Sequence, residues 1–440
     1  MQTQFSARQL EDTATASAEA VIRKCVHCGF CLATCPTYLL LGDELDSPRG
    51  RIYLMKDMLE NERRPTATEV KHIDRCLSCL SCMTTCPSDV NYMHLVDHAR
   101  AYIEKHHRRP LKQRLMRALL AFVLPHPERL RRALTLGRLL RRATSLISKV
   151  PALEPLVALL RLAPTRAAAR AIAVPSNARG LRRGRVAIFQ GCVEPVLKPE
   201  IRAATARLLS RAGYDVTFVA GEGCCGALVH HLGRSEAALH AVRSNVDAWT
   251  RELDGPGLDA IVVTVSGCGS MIKDYGFLLR SDAAYAARAA RISALTRDVT
   301  EMLADRALPK SHSRRLTVAY HSACSLQHGQ RLHELPQRLL EAAGFEVRIP
   351  LEAHLCCGSA GTYNVLQSQI AAQLGERKVA SLERTQPDLI ATGNIGCLQQ
   401  IAQRASVPVV HTVELLDWAT GGPVPPTLAH LSSTKSSSPH

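Results

Sequence analysis

Two cysteine runs of identical spacing constrain this chain more than any other feature. CVHCGFCLATCP (Cys25 to Pro36) returns fifty-one residues later as CLSCLSCMTTCP (Cys76 to Pro87). Each reads C-x2-C-x2-C-x3-C-P. Three thiols three residues apart fit on one turn of chain, and the fourth stands before a proline that redirects it.

That spacing is the one used by proteins holding two iron–sulfur cubanes, in which the fourth cysteine of each run serves the other cluster. The expected sets are therefore crossed. Cys25, Cys28, Cys31 and Cys86 take one [4Fe-4S] cluster, and Cys76, Cys79, Cys82 and Cys35 take the second. Zinc is the first competitor, but structural zinc sites draw on two separated pairs of ligands. Disulfides are the second. No apolar leader opens the chain, which argues for a reducing compartment and against them. His27, between ligands, is expected to tune a cluster rather than bind it.

The other eight of the sixteen cysteines are equally ordered: four at 192–268 and four at 324–397. They belong to an internal repeat. The first copy offers strands at 186–189, 215–220 and 260–265; the second offers strands at 317–321, 345–349 and 389–392. Helices lie between them. Thirty-one residues separate Cys192 from Cys224-Cys225-Gly226 and Cys324 from Cys356-Cys357-Gly358. Strands alternating with helices predict a parallel sheet in each copy. Cysteines just past the strand ends sit where open α/β sheets place ligands.

Charge is localised too. Residues 107–185 hold nineteen Lys or Arg against two acids, a net of +17, within a chain whose total is +16. Leucines alternate with these arginines, which predicts short basic amphipathic helices for an anionic membrane surface or a partner. A solvated linker is the plainer reading. One aromatic, Phe122, offers no base-stacking platform, so nucleic acid is not expected as a partner. No run of eighteen apolar residues is present, so no membrane-spanning helix is expected.

Gly221 to Gly226 (GEGCCG) matches G-x-G-x-x-G, but no acidic residue closes the next strand and thiols fill the turn. Neither NAD nor flavin is expected on this chain. His230, His231, His321, His328 and His354 cluster near the repeat cysteines as candidate ligands or proton relays, His321 and His354 foremost.

The expected fold is α+β and multidomain. Residues 1–106 form a helical ferredoxin-type domain, including helices from Ser47-Pro48 to Glu60 and over 90–106. Residues 107–184 form a basic helical linker. Two α/β repeats follow at 185–310 and 311–420, with a disordered tail at 421–440.

The repeats resemble the CCG cysteine-rich domain, whose pattern ends in C-x-x-C. Met271 and Gln400 stand where that last cysteine belongs. Cys192, Cys224, Cys225, Cys268, Cys324, Cys356, Cys357 and Cys397 are thus candidates for a further Fe–S or zinc site, a redox thiol pair or a plain scaffold. Over nearly the whole chain, including DSPRGRI (Asp46 to Ile52) and GEGCCGALVHHLG (Gly221 to Gly233), the order of parts resembles the glycolate oxidase iron–sulfur subunits. That resemblance implies a cytoplasmic or peripheral-membrane electron-transfer subunit with no substrate site of its own. Flavin-bearing partner subunits would oxidise glycolate to glyoxylate, and the electrons would pass to a quinone or other membrane acceptor. The same wire would serve a lactate or anaerobic glycerol-3-phosphate dehydrogenase. A heterodisulfide-reductase-like enzyme with catalysis in the repeats is the alternative of another class.

Overall fold

The computed structural model describes residues 1–140, 175–304 and 316–429. Its first third is helical: α1 (Thr13–Lys24), α2 (Pro36–Leu41), α3 (Pro48–Glu60), α4 (Ala67–Asp74), α5 (Ser81–Thr85), α6 (Tyr92–His106), α7 (Leu111–Val123) and α8 (Pro127–Leu140). Ser47 caps α3 by accepting a hydrogen bond from Gly50 N at 3.0 Å, and Pro48 takes the first helical position, where no N–H is needed. Ile52, Met55, Met58 and Leu59 then face inward, while Leu54 stays half-buried. Tyr92, Leu95, Val96, Ala99 and Ile103 supply the matching stripe of α6. Pro36 redirects the chain by opening α2, with Cys35 at its N-cap.

The remainder is α/β. In the first repeat, β1 (Gly184–Ile188), α9 (Pro199–Arg211), β2 (Tyr214–Thr217), α10 (Ser235–Asp254), β3 (Ala260–Val263), α11 (Ser266–Lys273) and β4 (Thr296–Asp298) build a parallel sheet of order β2-β1-β3-β4. In the second, β5 (Thr317–His321), α12 (Leu335–Ala342), β6 (Glu346–Arg348), α13 (Ser368–Glu383), β7 (Leu389–Thr392), α14 (Ile395–Ala402), β8 (Val409–His411) and α15 (Thr412–Ala419) give β6-β5-β7-β8. The registers correspond, with Val186 opposite Val216 and Ala260, and Val318 opposite Val347 and Leu389. All four residues of β3 and of β7 are buried, the signature of parallel strands covered on both faces.

The two repeats share one core. Val186, Ile188 and Val262 from the first sheet pack in the same cluster as Val318, Tyr320 and Leu389 from the second. Arg207 on α9 anchors to the buried Asp417 on α15 at 2.9 Å, and Arg211 reaches the same carboxylate. The described residues of the two repeats therefore form one body with two sheets of matching strand order.

One expectation needs correction. The tail was expected to be disordered from 421, yet Leu428 is fully buried in the shared core and holds residues 426–428 in a short helical turn. Residues 430–440 of that tail, and 141–174 of the basic linker, lie outside the described residues. Within the basic segment, two of the cations do not face solvent. Arg109 and Arg117 are instead buried: Arg109 bonds Asp74 at 3.1 Å and Glu104 at 3.3 Å, and Arg117 donates to the Leu232 carbonyl at 3.0 Å.

Candidate metal centres

The N-terminal cysteines come together as two adjoining hollows. One, of about 430 Å³, is lined by Cys25, Cys28, Cys31 and Cys86, with Cys82 at its wall. The second, of about 320 Å³, is lined by Cys35, Cys76, Cys79 and Cys82. Pro48 and Tyr92 lie on both walls, so little separates them. The loops that do this are bent at left-handed positions: His27 (φ 57), Ser78 (φ 51) and Leu80 (φ 63) are non-glycine residues held at a conformational cost.

Thiols crowded this way resist ionisation. Burial pushes the Cys31 thiol up to about 11. Burial first, then the neighbouring thiolates, pushes Cys79 and Cys82 well above the ordinary value. Eight converging thiols, with Cys31, Cys79 and Cys82 among them held in their neutral form, fit bound cationic metal, whose charge reverses that balance. Arg51 adds a fixed cation. It is 1% exposed, with Nη1 3.8 Å from Cys35 Sγ, Nη2 3.0 Å from Thr37 Oγ1, and Nε donating to the His72 carbonyl at 2.6 Å. His27 sits on the wall of the first hollow.

The repeat cysteines form two further groups at the strand ends. In the first, Cys224 neighbours the thiols of Cys192 and Cys225, Cys225 neighbours that of Cys268, and Met271 is buried in the core alongside Cys225. Two residues that the sequence did not single out hold this turn. Asn245 accepts from Gly223 N at 2.8 Å and donates to Cys224 O at 3.0 Å; Tyr275 donates to Cys225 O at 2.8 Å.

In the second group, Cys324, Cys356, Cys357 and Cys397 adjoin in the same way. Gln400 is buried and spends its amide on the Ala371 carbonyl at 2.8 Å, and Lys378, also buried, donates to Glu352 O at 2.8 Å beside the thiols. The glycine of each CCG has a physical reason. Gly226 (φ +90) and Gly358 (φ +85) are left-handed, and a Cβ on Gly358 would lie 2.6 Å from Ala371 O.

Of the histidines, His231 and His230 pair with the buried Asp97 at 3.0 and 3.4 Å. His328 bonds Thr84 at 2.8 Å and His354 O at 3.1 Å. His354 is half-buried, and His321 is fully enclosed with the second thiol group.

The helical third touches both repeats on their strand-end face. His94 meets Asp274 at 2.9 Å, beside the first repeat's group. Leu77 and Cys79 pack in one apolar cluster with Cys324, Cys356 and Tyr363 of the second, and Tyr363 donates to the Arg75 carbonyl at 2.9 Å. The second hollow thus lies against the second repeat's thiols.

Comparison with known proteins agrees with this division. The 4Fe-4S dicluster domain matches residues 21–90, and the cysteine-rich CCG domain matches residues 186–273 and 318–402. The glycolate oxidase iron-sulfur subunit of Escherichia coli K12 is 40% identical over 422 residues, covering 95% of this chain and 99% of that protein. This chain belongs to the glycolate oxidase iron–sulfur subunit family. A probable glycolate oxidase iron-sulfur subunit of Bacillus subtilis is 30% identical, covering 92% of this chain and 95% of that one. Lactate utilization protein A of Geobacillus kaustophilus matches 53% of this chain at 28% identity. A crystal structure of a hypothetical protein from Helicobacter pylori superposes with a TM-score of 0.55 at 9% identity, over 96% of this chain and 75% of that one, a likeness of fold alone. As a dicluster member of this family, the chain is an iron–sulfur protein of an oxidoreductase.

Proposed function

We propose that this chain is the electron relay of a glycolate-oxidising assembly, with Cys25, Cys28, Cys31 and Cys86 holding one [4Fe-4S] cluster and Cys76, Cys79, Cys82 and Cys35 the other. The observation that carries this reading is the distribution of eight thiols over two adjoining hollows, five lining the first and four the second, with Cys82 common to both. Bound cubanes supply one-electron carriers. The chain's own residues position them and set the charge around Cys35 through Arg51. Glycolate oxidation to glyoxylate releases two electrons on a flavin-bearing partner, which fits a chain built for single-electron passage.

The acceptor side lies at a membrane, as a quinone or another membrane-bound carrier. Leu111, Leu115, Leu119 and Phe122 form an exposed stripe on α7, Leu115 being 61% and Phe122 58% exposed, with Lys112 and Arg114 beside it. An apolar stripe flanked by cations complements an anionic lipid surface. Among the described residues no helix is long and apolar enough to cross a membrane, so contact would be peripheral.

The test is substrate-driven cluster reduction. In the anaerobic assembly co-purified with its flavin subunits, glycolate should generate the paramagnetic signals of reduced cubanes in this chain. Reduction by lactate or glycerol 3-phosphate, with none by glycolate, would reject the substrate assignment.

A further inference from the structure

His321 ends β5 at 1% exposure, and neither of its ring nitrogens has a hydrogen-bond partner among the described residues. An imidazole buried with both nitrogens unpaired carries a desolvation cost that native structures seldom leave uncompensated. Its neighbours indicate the compensation. One ring nitrogen and the sulfurs of Cys357 and Cys397 lie within 4.8 Å of one another, and all three residues are buried.

The spacing is that of a single ion. Tetrahedral zinc, with bonds of about 2.3 Å to sulfur and about 2.0 Å to nitrogen, sets its ligand atoms about 3.5–3.8 Å apart. A contraction of roughly 1 Å suffices here. Among the described residues no trio of the N-terminal cysteines is that tight, as befits hollows for larger clusters.

The first repeat differs at the same place. Phe189 stands three residues before Cys192, as His321 stands three before Cys324, and packs edge-on against Trp249 at 5.8 Å. Charge also balances in the second repeat. Three thiolates on a divalent ion leave one negative charge, and the Lys378 ammonium is enclosed beside Cys324, Cys356 and Cys357 to offset it.

We propose that His321, Cys357 and Cys397, with one thiol of the Cys324–Cys356 pair, form a mononuclear zinc site specific to the second repeat. The site pins the end of β5 to the turn after β6 and the start of α14, on the surface that Leu77 and Cys79 pack against. It is a structural centre beside the relay. It is independent of how the N-terminal cysteines divide their clusters.

The full chain, isolated anaerobically with its clusters, is assayed for zinc and iron together. One zinc per chain is expected. His321→Ala should lower it at least tenfold while iron content and the paramagnetic signals of the N-terminal clusters stay unchanged, which also reports that the variant is folded. His321→Cys should keep the metal and, with cobalt in place of zinc, strengthen the sulfur-to-cobalt charge-transfer absorption. Full zinc in His321→Ala overturns the proposal. So do additional iron instead of zinc in the unaltered chain, or a cobalt spectrum that His321→Cys leaves unchanged. Zinc at one per chain with iron well short of eight would count against the relay reading alone.

Discussion

Arg51 holds its guanidinium 3.8 Å from the sulfur of Cys35, with both groups buried. The same side chain reaches Asp46 at 3.3 Å, so its charge is partly matched by a carboxylate that also receives His72 and Arg75. A cation beside a cluster stabilises the reduced, more negative form. Arg51→Met should therefore lower the potential of the cluster bound through Cys35, and leave the cluster bound through Cys25 nearly unmoved. A differential interaction of about 1 kcal/mol corresponds to about 40 mV for one electron. A redox titration followed by paramagnetic resonance checks it, and equal shifts in both clusters would refute it.

Stability should depend on pH through Glu222. This carboxylate accepts from Trp249 Nε1 at 2.8 Å and from Gln190 N at 2.9 Å, and burial pushes its pKa up to about 7 from an ordinary value near 4.5. A raised folded-state pKa favours the protonated form. Its contribution is complete below pH 4.5 and is lost as pH rises through 7. Glu222→Gln removes that dependence. The variant's stability relative to the unaltered chain should rise with pH across this window, by up to about 1.4 kcal/mol per unit, then level off. Urea midpoints at pH 5, 6, 7 and 8 measure it; a constant difference would refute the assignment.

What the sequence disclosed and what it hid divide on physical lines. AIVV and LIAT announce β3 and β7 because strands covered on both faces read as near-continuous apolar runs. The edge strands β4 (TRD) and β8 (VVH) were missed: each is three residues long and follows the last cysteine of its repeat, beyond the pattern that marks the other strands. The cysteines declared themselves through spacing along the chain. Asn245 and Tyr275 could not, because each is a lone polar residue on a helix, tied to the CCG turn only by tertiary contact. Arg51 was visible within DSPRGRI, but its bond to Cys35 needs the fold of the fifteen residues between them. The burial of Arg109 and Arg117 could not be read either, because summed charge does not register that Asp74 and Glu104 lie beside them.

The stripe on α7 predicts peripheral lipid binding. Leu115→Glu with Phe122→Glu places two acids on a face exposed already, so the fold should survive. Sedimentation with vesicles containing anionic lipid should fall strongly, because each large side chain contributes about 1.5–3 kcal/mol on full burial and the new charges repel the surface. Added salt should weaken binding of the unaltered chain. Equal binding to neutral and anionic vesicles would refute the role of charge.

The two CCG glycines should not be equally sensitive. Both have left-handed backbone, which costs an alanine about 1 kcal/mol. Beyond that, the space differs. A Cβ on Gly226 meets Ala238 O at 3.2 Å, a contact that a shift of a few tenths of an ångström relieves. A Cβ on Gly358 meets Ala371 O at 2.6 Å and Leu374 Cβ at 3.1 Å, so α13 itself must move. That helix carries Lys378 and the carbonyl that holds Gln400, and Gly358 N donates to Cys356 Sγ at 3.4 Å. Gly358→Ala should therefore cost on the order of 2–3 kcal/mol, above Gly226→Ala, and disturb the second thiol group while sparing the first. Thermal unfolding gives the order of the two variants, and the rate of thiol alkylation under denaturant-free conditions shows which group has opened. A larger loss for Gly226→Ala would mean that packing against α13 does not set the geometry of the second turn.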